Sequence, residues 1–104
     1  MNNDVIAAPS PDSIFGQRMT MEATIVDTEW GIYARPDSDS DRAIMGERIN
    51  INTHTPEMID EEGNTISFGS LTVGTRVQLI YKGYLEVEDY VIFEELYRIT
   101  LLNN

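Results

Sequence analysis

The chain has 104 residues, which suits a single domain, and 41% of them are hydrophobic, as expected for a protein that buries a core. Its 18 acidic and 7 basic residues give a formal net charge of -11. Few lysine and arginine side chains are available for phosphate contacts, so we expect no direct nucleic-acid binding and no attraction to anionic membranes. The lack of cysteine excludes disulfides, thiolate metal sites and cysteine nucleophiles.

The N-terminal residues, 1–17, include Pro9, Pro11 and small polar residues without any period, and they predict a flexible leader before a folded domain at 18–104. No apolar run approaches the ~20 residues of a membrane span, so we predict no transmembrane segment. The sequence as written favours a cytoplasmic protein. A trimmed export signal ending in cysteine would instead make it an extracellular lipoprotein, and the compartment stays open.

Short stretches of alternating apolar and polar residues follow the leader, beginning with Met21, Ala23 and Ile25. This period of two is typical of half-buried β-strands. It recurs at 31–35, 49–52, 58–60, 65–68, 77–81, 85–87 and 97–101. We expect Gly83 to turn the chain between two of these strands, whereas residues 90–96 (YVIFEEL) fit a short helix and a strand equally well. The fold predicted is all-β, a small antiparallel barrel of five or six strands, OB-like.

The second half of the chain, residues 57–102, carries a recognisable order of motifs. A polar hairpin (DEEGNTISF) precedes a step from Leu71 to Gly74, which leads into the strands RVQLIYKG, YLEVE and LYRITLL. This order resembles small, largely uncharacterised bacterial OB-fold domains, several of which occur in secreted or lipid-anchored proteins of Gram-positive bacteria. The resemblance implies the fold and carries no agreed activity.

Acidic residues are concentrated between 36 and 65, where eight of them face two basic residues. Residues 37–42 (DSDSDR) are expected to form an exposed loop, with Asp37, Asp39 and Asp41 on one side of it. Three carboxylates at this spacing begin a calcium loop, but Arg42 and Arg48 stand where that loop needs glycine and glutamate. The three residues are therefore a weak cation candidate, and we predict no cofactor.

Aromatic side chains and the single histidine are the remaining candidates. Trp30 and Tyr33 could form an exposed contact for a protein partner, because base stacking would also need a positive groove. His54 has no identifiable nucleophile near it in the sequence, and a general base needs a positioned partner. We therefore expect no catalytic residues and no enzymatic activity.

Three functions remain open. The first is a binding module whose acidic surface contacts a basic protein. Its candidate contact residues are Asp37, Asp39, Asp41, Glu57, Asp60, Glu61 and Glu62. The second is an acidic mimic of nucleic acid that inhibits a DNA- or RNA-binding enzyme, and the third is a small exported domain with weak cation binding. The acidity could also serve only solubility.

Overall fold

A computed structural model describes residues 18–51 and 56–103 of the chain. Within them a single sheet contains six strands. They are β1 (Met19–Asp27), β2 (Tyr33–Pro36), β3 (Ile49–Asn50), β4 (Glu57–Asp60), β5 (Arg76–Val87) and β6 (Tyr90–Leu101). One α-helix, α1 (Asp39–Met45), follows β2, and a 3₁₀ turn, Phe68–Ser70, precedes β5. The predicted leader and His54 lie outside the described residues. None of the described helices is long and apolar enough to cross a membrane.

Five of the six described strands close a ring. β1 pairs with β2 and β5, β2 with β3, and β6 joins β3 to β5, while β4 extends the sheet from the far half of β6. The mainly β prediction is confirmed. The prediction of an entirely antiparallel sheet is wrong, because β6 runs parallel to both β3 and β4. A closed ring with an odd number of strands cannot alternate direction at every pair, so one neighbouring pair must be parallel.

The core lies inside the ring and follows the alternation seen in the sequence. Met21, Ala23 and Ile25 of β1 are all buried, as are Val77 and Leu79 of β5. Ile49, Ile99 and Ala34 complete the layer from the neighbouring strands. Full burial of each large aliphatic side chain contributes about 1.5–3 kcal/mol. The core therefore holds the strands that carry the surface groups described below.

The prediction of an exposed loop at residues 37–42 is wrong, because a helix begins at Asp39. Ser38 is the N-cap, and its Oγ accepts a hydrogen bond from the Asp41 backbone N–H at 3.1 Å. Met45 is buried, and Gly46 ends the helix with a φ of 80°. Capping residues and one apolar anchor thus outweigh the repulsion among the aspartates.

Gly83 does not end a strand, contrary to the prediction. It has a φ of 75° inside β5, and a Cβ there would collide with the Glu94 side chain. The chain instead reverses at residues 88–89, where Glu88 has a φ of 53°. The open alternative at 90–96 resolves as strand, since these residues belong to β6.

The predicted strands at 49–52 and 65–68 are shorter than expected. In the first, only Ile49–Asn50 is strand among the described residues. In the second, Thr65 makes one isolated bridge to Ile59, and the chain then enters the 3₁₀ turn.

Candidate functional site

Asp37, the first of the acidic candidates, is held by neighbouring strands. Its carboxylate accepts hydrogen bonds from the Thr24 hydroxyl at 2.7 Å and from Arg76 Nε at 3.1 Å. Arg76 also pairs with Glu22 at 2.6 Å, and its hydrogen bond to Asp37 is the main reason that the pKa of Arg76 is raised. Asp37 therefore connects the segment after β2 to β1 and β5.

Asp39 and Asp41 lie in the first turn of α1 instead of along an extended loop. Asp39 pairs with Arg42, which also donates to the backbone carbonyls of Pro36 and Asp37 at 2.8 and 2.9 Å. The three aspartates do not converge as the calcium-loop comparison requires. Across residues 18–51 and 56–103, no group of three or more acidic or histidine side chains is arranged to hold a metal ion.

The second acidic group surrounds the turn after β4. Asp60 accepts hydrogen bonds from the backbone N–H groups of Asn64 and Glu62 at 2.9 and 3.0 Å. The bond from Asn64 is the largest cause of the lowered pKa of Asp60. Glu57 pairs with Arg98 at 2.9 Å. Glu61 and Glu62 accept hydrogen bonds from Asn103.

Strand register places the two acidic groups at the same end of the sheet. Asp60 lies opposite Leu101 of β6, which lies opposite Val77 of β5. Val77 in turn faces Ala23 of β1, and Ala23 faces Pro36, the neighbour of Asp37. Four strand spacings of ~4.8 Å separate the groups by about 19 Å along the curved sheet. Most of these carboxylates already form hydrogen bonds or ion pairs with residues of the same chain.

An apolar groove that the sequence analysis missed lies elsewhere on the molecule. It encloses about 910 Å³ between the β1–β2 loop, the end of β3, the 3₁₀ turn and β6. Its apolar walls come from Ile32, Ile51, Phe68, Ile92, Phe93 and Leu96. Thr28 and Asn50 add polar groups, and none of the described lining residues carries a charge. Its volume and mostly apolar lining lie within the range of small-molecule sites.

One glycine and one exposed aromatic side chain shape the groove, and a second exposed aromatic residue precedes that glycine in the chain. Gly31 has a φ of 138°, and a Cβ there would approach Asn50 Nδ2 to 3.3 Å, so glycine lets the loop lie close to β3. Trp30 precedes it and is 87% exposed, while Phe68 in the groove wall is 65% exposed. Exposed apolar surface that is contiguous, as between Phe68 and the groove wall, is typical of contact surfaces.

The two aromatic candidates from the sequence therefore have different roles. Tyr33 is half-buried beneath the Arg48 guanidinium, 4.1 Å from its ring centre, and meets Tyr90 edge to face at 5.7 Å. These contacts fix the start of β2. Trp30 remains available at the β1–β2 loop.

Two carboxylates stand near groove residues in the sequence, although neither lines the groove. Glu29 lies beside Trp30, and Glu94 lies in β6 between Phe93 and Leu96. Neither makes an ion pair with another described residue. Asp27, at the base of the same loop, accepts from the Glu29 backbone N–H, which is the main cause of its lowered pKa, and it pairs with Arg48 at 3.3 Å.

Sequence reasoning missed the groove because its walls come from segments far apart in the chain. Within the sequence, the only local signals were apolar residues beside glycine in the pairs Gly31–Ile32 and Phe68–Gly69. Comparison of the chain with protein-family models, with curated proteins and with solved structures finds no match.

Proposed function

We propose that this protein is a non-enzymatic interaction module that binds an apolar segment of a basic protein partner in the groove. The observation that carries the proposal is the apolar groove, whose described lining carries no charge, with Phe68 exposed in its wall and Trp30 next to its lining residue Gly31 in the chain. Aromatic side chains in a desolvated pocket supply most of the energy of many protein contacts. The net negative charge of the chain favours lysine or arginine next to the inserted apolar side chain.

The charge of the whole chain favours the same class of partner. A net charge of -11 attracts basic proteins over distances set by the ionic strength and repels nucleic acid. The described groove lining offers apolar binding surface and contains no titratable side chain. Binding without catalysis is accordingly the function proposed.

The fold proposed for this module is an OB-like barrel. The ring of five described strands supports it, because the OB fold is a five-stranded Greek-key barrel that is partly open. OB folds bind ligands on the second and third strands and on loops that include the one between strands one and two. Here the β1–β2 loop and the end of β3 line the groove, in agreement with that use. Descent from the bacterial OB-fold domains that the motifs resemble remains part of the proposal.

Trp30 provides a test, because it is the only tryptophan in the chain and directly precedes Gly31 of the groove lining. The probe is a tryptophan-free peptide that alternates lysine with leucine. We expect saturable binding with a blue shift of Trp30 emission. A lysine–serine peptide tests the need for apolar side chains, and a glutamate–leucine peptide tests the need for positive charge.

Phe68→Ser should weaken binding of the lysine–leucine peptide at least about tenfold, which is ~1.4 kcal/mol. Val73→Ser is the matched control, since Val73 is also exposed, at 62%, and does not line the groove. Equal affinity of the two variants, or binding of the peptide with no change in Trp30 emission, would refute the groove as the site.

The nucleic-acid mimic remains a second proposal, favoured by the shared position of the two acidic groups at one end of the sheet. It predicts that added DNA displaces the protein from a DNA-binding enzyme to which the protein is bound. It also predicts loss of binding in the variant Asp41→Ser/Glu62→Ser, with Phe68→Ser unaffected. Simultaneous binding of the protein and DNA by the enzyme would eliminate it.

A further inference from the structure

Two polar side chains occur in the described lining of the groove, and they differ in exposure. Thr28 is exposed, so water can solvate its hydroxyl group, whereas Asn50 is half-buried. The side-chain amide of Asn50 makes no hydrogen bond with another described residue. An amide that a ligand covers without offering it a partner costs free energy, because it loses its hydrogen bonds to water. A ligand that covers Asn50 therefore binds better if it brings hydrogen-bonding groups of its own.

The fold holds the backbone of Asn50 from both sides. Asn50 ends β3, where it pairs with Tyr33 of β2 and with Ile92 of β6. The next residue, Ile51, donates its backbone N–H to the Ile32 carbonyl at 2.8 Å. Two neighbouring strands thus fix the position of Asn50 before a ligand arrives, which lowers the entropic cost of a directed hydrogen bond.

Gly31 leaves the space that the Asn50 amide occupies at the β1–β2 loop. A Cβ at position 31 would lie 3.3 Å from Asn50 Nδ2, so a larger residue there would require the amide to move. The φ of 138° at Gly31 also favours glycine. The loop and the strand end are therefore matched, with the smallest residue standing where the amide needs room.

We propose that Asn50 determines the specificity of the groove by pairing with a backbone amide of the inserted segment, so that the groove selects an apolar peptide over a hydrocarbon chain. This inference rests on the proposed function and names the group of the partner that the groove recognises. An asparagine side chain offers a carbonyl acceptor and an NH₂ donor, and a peptide bond offers the complementary N–H and C=O groups. A hydrocarbon chain fills the apolar walls and leaves the Asn50 amide without a partner.

The charge of the protein decides which probes are informative. A net charge of -11 attracts any cation, so every probe must carry positive charge if the comparison is to report on the amide. The tryptophan-free lysine–leucine peptide is the parent probe. Its ester analogue, in which an oxygen replaces the backbone N–H of each leucine, keeps the charges and apolar side chains and removes the donors. Decyltrimethylammonium supplies a cation and an apolar chain with no hydrogen-bonding group.

Isothermal titration calorimetry with the full chain compares the three probes. We expect the wild type to bind the parent peptide at least about tenfold more tightly than the ester analogue, because the ester cannot donate to Asn50. Asn50→Leu removes the amide at similar side-chain size and should bind the two peptides equally. The same variant should bind decyltrimethylammonium at least about tenfold more tightly than the wild type, since no amide is then covered without a partner.

Thr28→Val is the matched control, because Thr28 also lines the groove and is exposed. It should keep the wild-type preference for the parent peptide. Circular dichroism establishes that each variant folds, and the comparison of the two peptides on the wild type needs no variant. Equal affinity of the wild type for parent and ester, or an unchanged preference in Asn50→Leu, would overturn the role of Asn50 while binding in the groove stands. Failure of the wild type to bind the parent peptide would overturn the proposed function and this inference with it.

Discussion

At the scale of single residues, carboxylates that suggest a binding surface in the sequence also serve the fold. Asp37 joins three strands through Thr24 and Arg76, and Asp60 holds the turn after β4. Charge alone does not distinguish these roles, because a carboxylate available to a partner and one that accepts backbone hydrogen bonds look identical in a sequence. Asp41 makes no ion pair with a described residue, and it remains the better contact candidate.

The lowered pKa of Asp60 predicts a pH-dependent contribution to stability. A carboxylate whose folded pKa lies below its unfolded value, near 3.8, stabilises the fold fully above that value and loses the effect as pH falls through the folded pKa. We expect Asp60→Asn to unfold more easily than the wild type at pH 7, with the difference shrinking below about pH 4. Urea denaturation between pH 7 and pH 3 measures it.

Asp89→Asn, on the β5–β6 turn, removes the same charge without disturbing the hydrogen bonds around Asp60. It controls for the change in net charge. A difference between wild type and Asp60→Asn that stays constant from pH 7 to pH 3 would contradict the role assigned to the ionised carboxylate.

At the scale of elements, α1 shows how a local pattern can be interpreted in two ways. The stretch DSDSDR has high charge and no apolar period, which favours a loop, yet Ser38 and Asp41 stand at the spacing of a capped helix start. Met45 and Gly46 supply the buried anchor and the end of the helix. The helix is too short to be stable alone, so its packing on the ring decides between the two interpretations.

Ser38→Ala should destabilise the protein by about 1 kcal/mol, because the Asp41 backbone N–H loses its acceptor at the helix start. Ser67 provides a matched control, since it precedes the 3₁₀ turn in the same N-cap position and makes no capping hydrogen bond. We expect Ser67→Ala to leave the free energy of unfolding nearly unchanged. Equal losses in the two variants, measured by urea denaturation, would argue against the cap.

At the scale of the whole molecule, a large negative charge acts on a small fold. The ion pairs in the described residues are largely at the surface, as in Arg35–Glu47, where the side chains are 47% and 71% exposed. Such pairs contribute little to the free energy of unfolding. The excess negative charges, which give a net charge of -11, repel one another across the whole surface. Repulsion should therefore dominate the dependence of stability on salt.

We expect the free energy of unfolding to rise by on the order of 1 kcal/mol between 20 and 500 mM NaCl, or about 4–8 °C in Tm. Thermal unfolding followed by circular dichroism at low micromolar concentration measures it. The variant Glu88→Gln/Asp89→Asn lowers the net charge and should show a smaller increment. A fall in Tm with salt would mean that attraction within the ion pairs exceeds the overall repulsion.

The sequence by itself determined the β character of the domain and the buried face of its longest strands. Alternation in β1 places Met21, Ala23 and Ile25 inside, because side chains on a strand point to opposite faces at every step. The alternation does not indicate which strands are neighbours in the sheet, so it could not predict that β6 pairs parallel to β3. It also could not predict that residues 90–96 belong to β6.

Only the tertiary structure decided which surface groups come together. The groove joins residues as distant as Gly31, Phe68 and Leu96, because closure of the ring brings β6 beside the β1–β2 loop. The folded structure also distinguishes two kinds of carboxylate. Some accept hydrogen bonds from donors of the same chain, and others make no ion pair with a described residue. Composition reports the charge and the amount of apolar surface, whereas a site depends on distances between residues far apart in the chain, and these exist only once the chain has folded.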